Sequence, residues 1–191
     1  MANVTLAAAG VRLRPLRLSD RVEWQRLREA NAEWLRRWEA THPPGVPAPA
    51  VSFGQYVREN RRLARTGQAL TFAVEVEERI VGQVSVSSIT LGALRGASIG
   101  YWVSQHVAGR GITPRAVAIA GDYCFTQLGL HRLEINIRPE NAASLRVVAK
   151  LGFREEGLRR RFLHIDGDWR DHRSFALTAE EVPGGLLARV T

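Results

Sequence analysis

The sequence predicts a single α/β domain on a mixed, largely antiparallel sheet, and three observations carry that expectation. The apolar residues change from helical spacing to strict alternation near residue 70 and keep alternating through three runs. A helix opened by glycines then separates two strand-like segments, which is the spacing of a right-handed parallel crossover. Two long alternating runs close the chain, joined through Asp166-Gly167-Asp168, a hairpin signature. At 191 residues the chain has the length of one domain (1–191), enough to bury a core without disulfide or metal staples.

The elements follow in order. Residues 11–13 read as a short strand stopped by Pro15. Ser19 and Asp20 offer an N-cap, and Val22, Trp24, Leu27 and Leu35 have the spacing of one or two amphipathic helices. Residues 41–49 hold four prolines and read as a stiff loop. Phe53, Tyr56, Val57, Asn60, Leu63 and Ala64 then predict a helix that ends at Gly67. Residues 71–77 and 80–88 alternate as a hairpin turning at Glu78-Arg79, and 97–103 form the next strand after a turn over 91–96. Gly109-Arg-Gly-Ile-Thr-Pro114 opens a helix with Ala116, Ala120, Cys124 and Leu128 on one face, and Gly129 stops it. Residues 133–137 are a strand. Asn141 caps one more helix, with Leu145, Val148 and Leu151 inward and Gly152 as terminator. The last two strands are expected at Arg154–Ile165 and 173–177.

Composition narrows the function classes. With 45% apolar and 24% charged residues, disorder and fibrous structure are excluded. No apolar run approaches the roughly 18 residues of a spanning helix, residues 1–10 lack the basic start of a signal peptide, and Cys124 is alone. These features predict a soluble cytoplasmic protein without disulfides, not bound to a membrane. The net charge is +8, yet Lys150 is the only lysine among 27 basic residues, a bias of the kind a GC-rich genome produces. The arginines are dispersed and not interleaved with aromatics, so no specific nucleic-acid surface is predicted. The positive field still favours anionic ligands. The apolar tail 182–190 has the composition to pack against a neighbouring subunit, and monomer and homodimer both stay open.

Two motif matches are better explained by structure. Gly96-Ala-Ser98-Ile-Gly100 fits the nucleophile-elbow pattern, but the residues after Ser98 continue as strand where an elbow needs a helix. His164, Asp166, Asp168, Asp171 and His172 bracket a turn that Asp-Gly alone satisfies, and no metal site is predicted. The third motif, Ala108-Gly109-Arg110-Gly111-Ile112-Thr113, is a strand-to-helix turn whose backbone N–H groups and helix N-terminus suit an anion, with the Arg110 charge added. It lacks the lysine of a Walker loop and the third glycine of a dinucleotide fingerprint.

Gln105-His-Val-Ala-Gly-Arg-Gly-Ile112, followed by Asn141-Ala-Ala-Ser144 and Lys150-Leu-Gly-Phe-Arg-Glu-Glu-Gly157, resembles the GNAT superfamily of acetyl-CoA-dependent N-acetyltransferases. Asn31-Ala-Glu-Trp-Leu-Arg-Arg-Trp-Glu39 and Phe162-Leu-His-Ile-Asp-Gly-Asp-Trp-Arg-Asp-His172 resemble its RimJ/RimL branch of ribosomal-protein-alanine acetyltransferases, the RimJ side more closely. The resemblance implies a splayed parallel strand pair at the acetyl-CoA site. The strand carrying Tyr101, Trp102 and Val103 would part from 133–137, and the pantetheine arm would take the place of a missing strand. The Val103 N–H would polarise the thioester carbonyl. Val107, Ala108, Gly109, Arg110, Gly111, Ile112 and Thr113 would wrap the pyrophosphate. His106 stands where the family has Gln or Arg, which predicts a weaker or pH-sensitive phosphate contact. Asn141 would bond the pantetheine while capping its helix, and Ser144 would protonate the departing thiolate. Val148 occupies the place where other members carry a tyrosine.

The general base is the least marked position. Glu134 and Asn136 share a strand face, and in some members a glutamate stands where this chain has Asn136. Glu134 is therefore the candidate, acting through water, with an ion pair to Arg132 or Arg138 as its alternative role. Glu39 and Glu75 are lesser candidates. An α-amine, with a pKa of about 7.7–8.0 against about 10.4 for lysine, is easier to neutralise near pH 7.5 by roughly 3–4 kcal/mol and suits a site without a marked base. Asn31, Trp38 and Glu39 are expected in the acceptor groove, although the i,i+4 spacing of Trp34 and Trp38 also fits packing. Asp166 and Asp171 are further candidates there. The resemblance implies acetyl transfer by direct attack, with the N-terminal alanine or serine of a ribosomal protein as acceptor and the ribosome as a possible partner. A small amine or antibiotic acceptor, or a non-catalytic acyl-CoA-binding or ribosome-assembly role, are the alternatives.

Overall fold

Strand register organises the molecule. The computed structural model describes residues 4–46 and 50–191. Its strands are β1 (Leu6–Ala8), β2 (Val11–Arg14), β3 (Leu70–Val76), β4 (Arg79–Thr90), β5 (Gly96–Val103), β6 (Arg132–Ile137), β7 (Arg154–Ile165) and β8 (Asp168–Thr178). They form one sheet in the order β1-β2-β3-β4-β5-β6-β8-β7, with β5 and β6 the parallel pair. The helices are α1 (Arg21–Ala30), α2 (Ala32–Arg36), α3 (Phe53–Arg65), α4 (Ile112–Thr126) and α5 (Ala142–Leu151). The fold is thus a mixed, mostly antiparallel α/β sheet whose one parallel connection runs through α4.

Two apolar clusters cover the two faces. On the back, α4 and α5 set Ala116, Val117, Ala120, Val148 and Leu151 against Phe72, Val84, Ile99, Leu133 and Leu177. The small residues of α4 let it lie close: a Cβ on Gly121 would stand 2.4 Å from Leu186 Cδ1. On the front, Trp24 of α1 and Val57 of α3 pack with Leu16, Ala73 and Ile80. The far end of the sheet is tied by charge. Arg14 on β2 is buried and donates to Glu75 Oε1 at 2.5 Å and to Asp20 Oδ2 at 2.7 Å, while Arg12 takes Glu75 Oε2 at 2.8 Å. Glu75, a lesser base candidate above, is therefore a structural ion-pair partner on β3.

Several boundaries differ from expectation. Strand β1 lies in the segment read only for targeting signals. The β3–β4 hairpin turns at Glu77-Glu78, one residue early, and both have positive φ (49° and 61°). Glutamate is a poor marker for such a turn, which normally announces itself with Asn or Gly. Strand β8 begins at Asp168 and not at residue 173, because Asp166-Gly167 makes a two-residue turn that pairs Ile165 directly with Asp168. The tail does not offer its apolar face to a neighbour: Val182 and Leu186 are buried in this chain's own core, with Asp122 of α4 accepting from the Leu186 and Leu187 N–H groups at 2.6 and 3.0 Å. Residues 41–46 carry no helix, as expected, and 47–49 of that loop lie outside the described residues.

Candidate active site

The site begins where the parallel pair comes apart. Only Gly96–Ser98 of β5 pairs with Arg132–Glu134 of β6; beyond these three positions the strands diverge. The opposite edge of β5 stays bonded to β4 through Gly82↔Val103. The Ser104 N–H donates to Val81 O at 2.7 Å, which sets the phase of that ladder. With alternate residues pointing to alternate edges, the Ile99, Tyr101 and Val103 N–H groups point away from β4 into the gap. Gly82 permits the tight β4–β5 approach, since a Cβ there would sit 2.3 Å from Trp102 O. The gap is bordered from both layers: Trp34 of α2 donates Nε1 to Val103 O at 3.1 Å, and the Tyr101 hydroxyl donates to Ser144 O at 3.5 Å. Burial raises the Tyr101 pKa, so the phenol stays protonated.

The loop after β5 is built from its backbone. Asn31, expected in the acceptor groove, is instead buried beneath this loop: its Oδ1 accepts from Ser104 Oγ at 3.0 Å and from Gln105 N–H at 2.8 Å, and its Nδ2 donates to Leu27 O at 2.8 Å. Because Ser104 gives its proton to Asn31, His106 Nδ1, 2.7 Å from Ser104 Oγ, is the donor of that pair. His106 is exposed, as are Ala108, Gly109 and Arg110, while Val107 and Ile112 point into the core. Gly109 and Gly111 adopt φ of 80° and 72°, a left-handed pair that only glycine adopts readily. Arg115 fastens the turn, donating to Gly111 O, Arg110 O and Ala9 O. Among the described residues no side chain caps the N-terminus of α4, so its first N–H groups, with Ile112 and Thr113, remain without a protein acceptor. Such a concave set of donors fits a pyrophosphate, and the open edge of β5 fits an amide-bearing arm; the chain's donors therefore match coenzyme A.

Across the gap, Asn141 caps α5, its Oδ1 accepting from the Ser144 N–H at 3.0 Å. The Tyr101 hydroxyl engages Ser144 from β5, and Val148, one turn on, is buried. On the front face Glu134 is held twice, by Arg132 at 2.9 Å and by Arg159 of β7 at 3.0 Å. The ion-pair role weighed from the sequence is thus present with Arg132, and Arg159 supplies the second partner where Arg138 was considered. Asn136 accepts from Ser174 Oγ at 2.7 Å.

A cleft of about 480 Å³ opens on this face beside the end of β5, lined by Trp24, Arg28, Glu39, Phe53, Tyr56 and Trp102 among others. The Trp24 ring lies 5.5–6.4 Å from those of Trp102, Tyr56 and Phe53. Glu39 lines the cleft in a bidentate pair with Arg28, whose guanidinium lies 5.1 Å from the Trp102 ring centre. Trp38 lies between the guanidinium groups of Arg37 and Arg138 at 5.4 and 5.5 Å. The cleft residues Arg28, Tyr56 and Gln83 were not singled out from the sequence. Tyr56 falls on the apolar stripe of α3, and its hydroxyl donates to Gln83 Oε1 at 2.7 Å across the front layer.

Ser98 sits mid-strand, paired with Ser87 and Glu134, where no nucleophile elbow can form. Among the described residues no group of three His, Cys, Asp or Glu side chains is placed to hold a metal ion. His164 contacts Thr41 Oγ1 at 2.8 Å, and Asp171 accepts from the Arg161 N–H at 2.8 Å. No helix is long and apolar enough to cross a membrane among these residues.

Comparison with known proteins agrees with this geometry. Residues 11–154 match the family model of the acetyltransferase (GNAT) domain. A Bacillus subtilis (strain 168) protein named "Probable N-acetyltransferase YjcK" is 42% identical over 101 residues, 53% of this chain and 56% of its own length. The [ribosomal protein uS5]-alanine N-acetyltransferase of Escherichia coli (strain K12) is 30% identical over 177 residues, 86% of this chain and 87% of that protein. Among solved structures, RimJ of Mycobacterium smegmatis in complex with CoA-disulfide superposes with a TM-score of 0.89 at 41% identity, covering 98% of this chain and 91% of that one. With a sheet that parts at β5 and β6 and a donor-rich loop before α4, this chain belongs to the GNAT family and is an N-acetyltransferase that uses acetyl-CoA.

Proposed function

We propose that the enzyme acetylates, by direct transfer, the N-terminal α-amine of a ribosomal protein beginning with alanine or serine. The observation that carries this reading is the front cleft: aromatic-walled, open, and set beside the end of β5, it suits an extended chain terminus entering toward the gap. Similarity to a ribosomal-protein-alanine acetyltransferase over most of the chain supports the acceptor class. Glu39 is already neutralised by Arg28, which favours an amine close to neutrality over a polycationic polyamine.

Acetyl-CoA supplies the acetyl group already activated as a thioester. In this reading Tyr101 and Val103 hold the pantetheine arm along the open edge, and the Val103 N–H polarises the carbonyl. Backbone donors from Val107 to Thr113, with the Arg110 charge, hold the pyrophosphate, and His106 flanks it. Asn141 keeps its cap and turns its amide nitrogen to the pantetheine. Ser144, beside the Tyr101 hydroxyl, returns a proton to the departing sulfur. Glu39 borders the acceptor path, Trp38 lies outside the cleft's lining, and Asn31 serves the path indirectly by fixing the loop.

Acetyl-CoA turnover, read as free thiol, tests this with Ala- and Ser-starting peptides, the same peptides blocked at the N-terminus, lysine-only peptides, a polyamine and an aminoglycoside. Turnover confined to free Ala or Ser termini is the expected result. Turnover only on the polyamine or aminoglycoside would move the enzyme to small-amine chemistry.

A further inference from the structure

The front face carries a histidine that none of these roles uses. On β6 and β8, directly opposed residues share a face, so Glu134 and Asn136 stand with Ala176 and Ser174, and His172 is the next same-face position on β8. It therefore lies just past the end of β6, four positions beyond the Glu134 level at which β5 and β6 part, and by the same register count level with Trp102, on the face that Trp102 presents to the cleft. The ring is 3% exposed and packs edge-on against Phe162 at 5.5 Å. Phe162 in turn lies under Arg159, the partner of Glu134. His172 Nδ1 is 3.0 Å from Arg170 O. A carbonyl only accepts, so the proton sits on Nδ1 and the Nε2 lone pair is free. Among the described residues Nε2 has no hydrogen-bond partner, and it is not among the atoms sealed from solvent without one.

We infer that His172 Nε2 takes the proton from the attacking amine, the part that Glu134, held by two arginines, is poorly free to play. The inference rests on acetyl transfer to an amine but not on which amine. As the nitrogen–carbon bond forms, the amine's proton passes to Nε2. The carbon–sulfur bond breaks and sulfur receives the Ser144 proton, after which the imidazolium proton returns to Ser144 through solvent. The charged groups around the ring are Arg138 and Glu140 beyond β6, Arg170 and Asp171 on β8, and Arg159 opposite on β7. Burial lowers the His172 pKa, which keeps the ring neutral at working pH.

His172→Asn keeps a donor toward Arg170 O and removes the basic nitrogen. With whichever amine the wild type acetylates, kcat is expected to fall about 10²-fold or more. The decline of kcat toward acid pH should disappear, while acetyl-CoA affinity and melting temperature stay near wild type. A variant within threefold of wild type that retains the acid limb overturns the inference. Nitrogen-15 NMR of the wild-type imidazoles reads the same point without any acceptor and without relying on the variant's folding. A neutral ring with the proton on Nδ1 at pH 7 is expected, and a ring protonated at pH 7, or carrying its proton on Nε2, overturns it.

Discussion

Strand β5 is bonded along one edge and left open along the other. Toward β4 it pairs from Ser98 to Val103, so closely that Gly82 has no room for a Cβ. Toward β6 it pairs at three positions and then parts. Both edges belong to the same residues, and no difference of β-propensity separates them. What differs is the company. On the β4 side a plain ladder runs on, whereas on the β6 side Trp34 of α2 donates to Val103 O and the Tyr101 hydroxyl donates to Ser144 O of α5. The bonded edge and the strands beyond it hold the shape of the molecule, and the open edge keeps amide donors available for chemistry. The same division runs through the carboxylates: Glu75 is buried in an arginine clasp on the bonded side, whereas Glu134 and Glu39 face solvent with arginine partners near the opening.

If the two halves are separable, damage to one should leave the other intact. The largest effect is expected for Arg14→Met, which leaves buried Asp20 without its guanidinium and Glu75 with only the half-exposed Arg12, and should lower stability by about 3–5 kcal/mol in urea unfolding. Acetyl-CoA affinity measured well below the melting temperature should stay unchanged; a parallel loss of affinity would break the comparison. On the open side, Ser144→Ala should lower kcat by about 10²-fold with unchanged urea midpoint and acetyl-CoA binding, and unaltered kcat would remove Ser144 from proton transfer. Gly109→Ala meets no atom within 4 Å, so its penalty is the left-handed backbone alone. That penalty is about 1–2 kcal/mol, which should appear as roughly tenfold weaker acetyl-CoA binding by calorimetry. The smallest effect concerns pH. Burial lowers the His172 pKa, so the unfolded chain binds this proton more readily, and the stabilisation present above the ordinary histidine value is lost as pH falls through the lowered one. The melting temperature of His172→Asn should therefore decline less between pH 7 and 5 than that of the wild type.

Much of this was legible in residue order. The alternation of β3 to β5, the left-handed glycines before α4, the Asn141 cap and the Gly152 stop are local signals, and each lies where it was expected. The β3–β4 turn was displaced by one residue because two glutamates take a conformation that local preference disfavours. Strand β8 began early because its first residues are polar, and only their pairing with Leu163, His164 and Ile165 makes them strand. At the site, the glycine loop and the Arg132–Glu134 pair follow from the residues themselves, whereas Ser144 enters through the family resemblance. The second partner of Glu134 and the partner of Glu39 do not follow from the sequence, since Arg159 and Arg28 reach them from other elements. Asn31 shows the same limit: a polar residue on a helix end gives no sign that it will be buried beneath a loop 73 positions away.

By itself, then, the sequence determined the elements, the parallel crossover and the anion-cradling turn, because backbone conformation and hydrophobic period are set by near neighbours. Only the tertiary structure decided which carboxylates are clasped and which histidine keeps a lone pair free. It also decided where the front cleft opens. Those outcomes depend on burial and on arginines arriving from distant strands, and electrostatic pairing at a few ångströms leaves no trace in the order of residues along the chain.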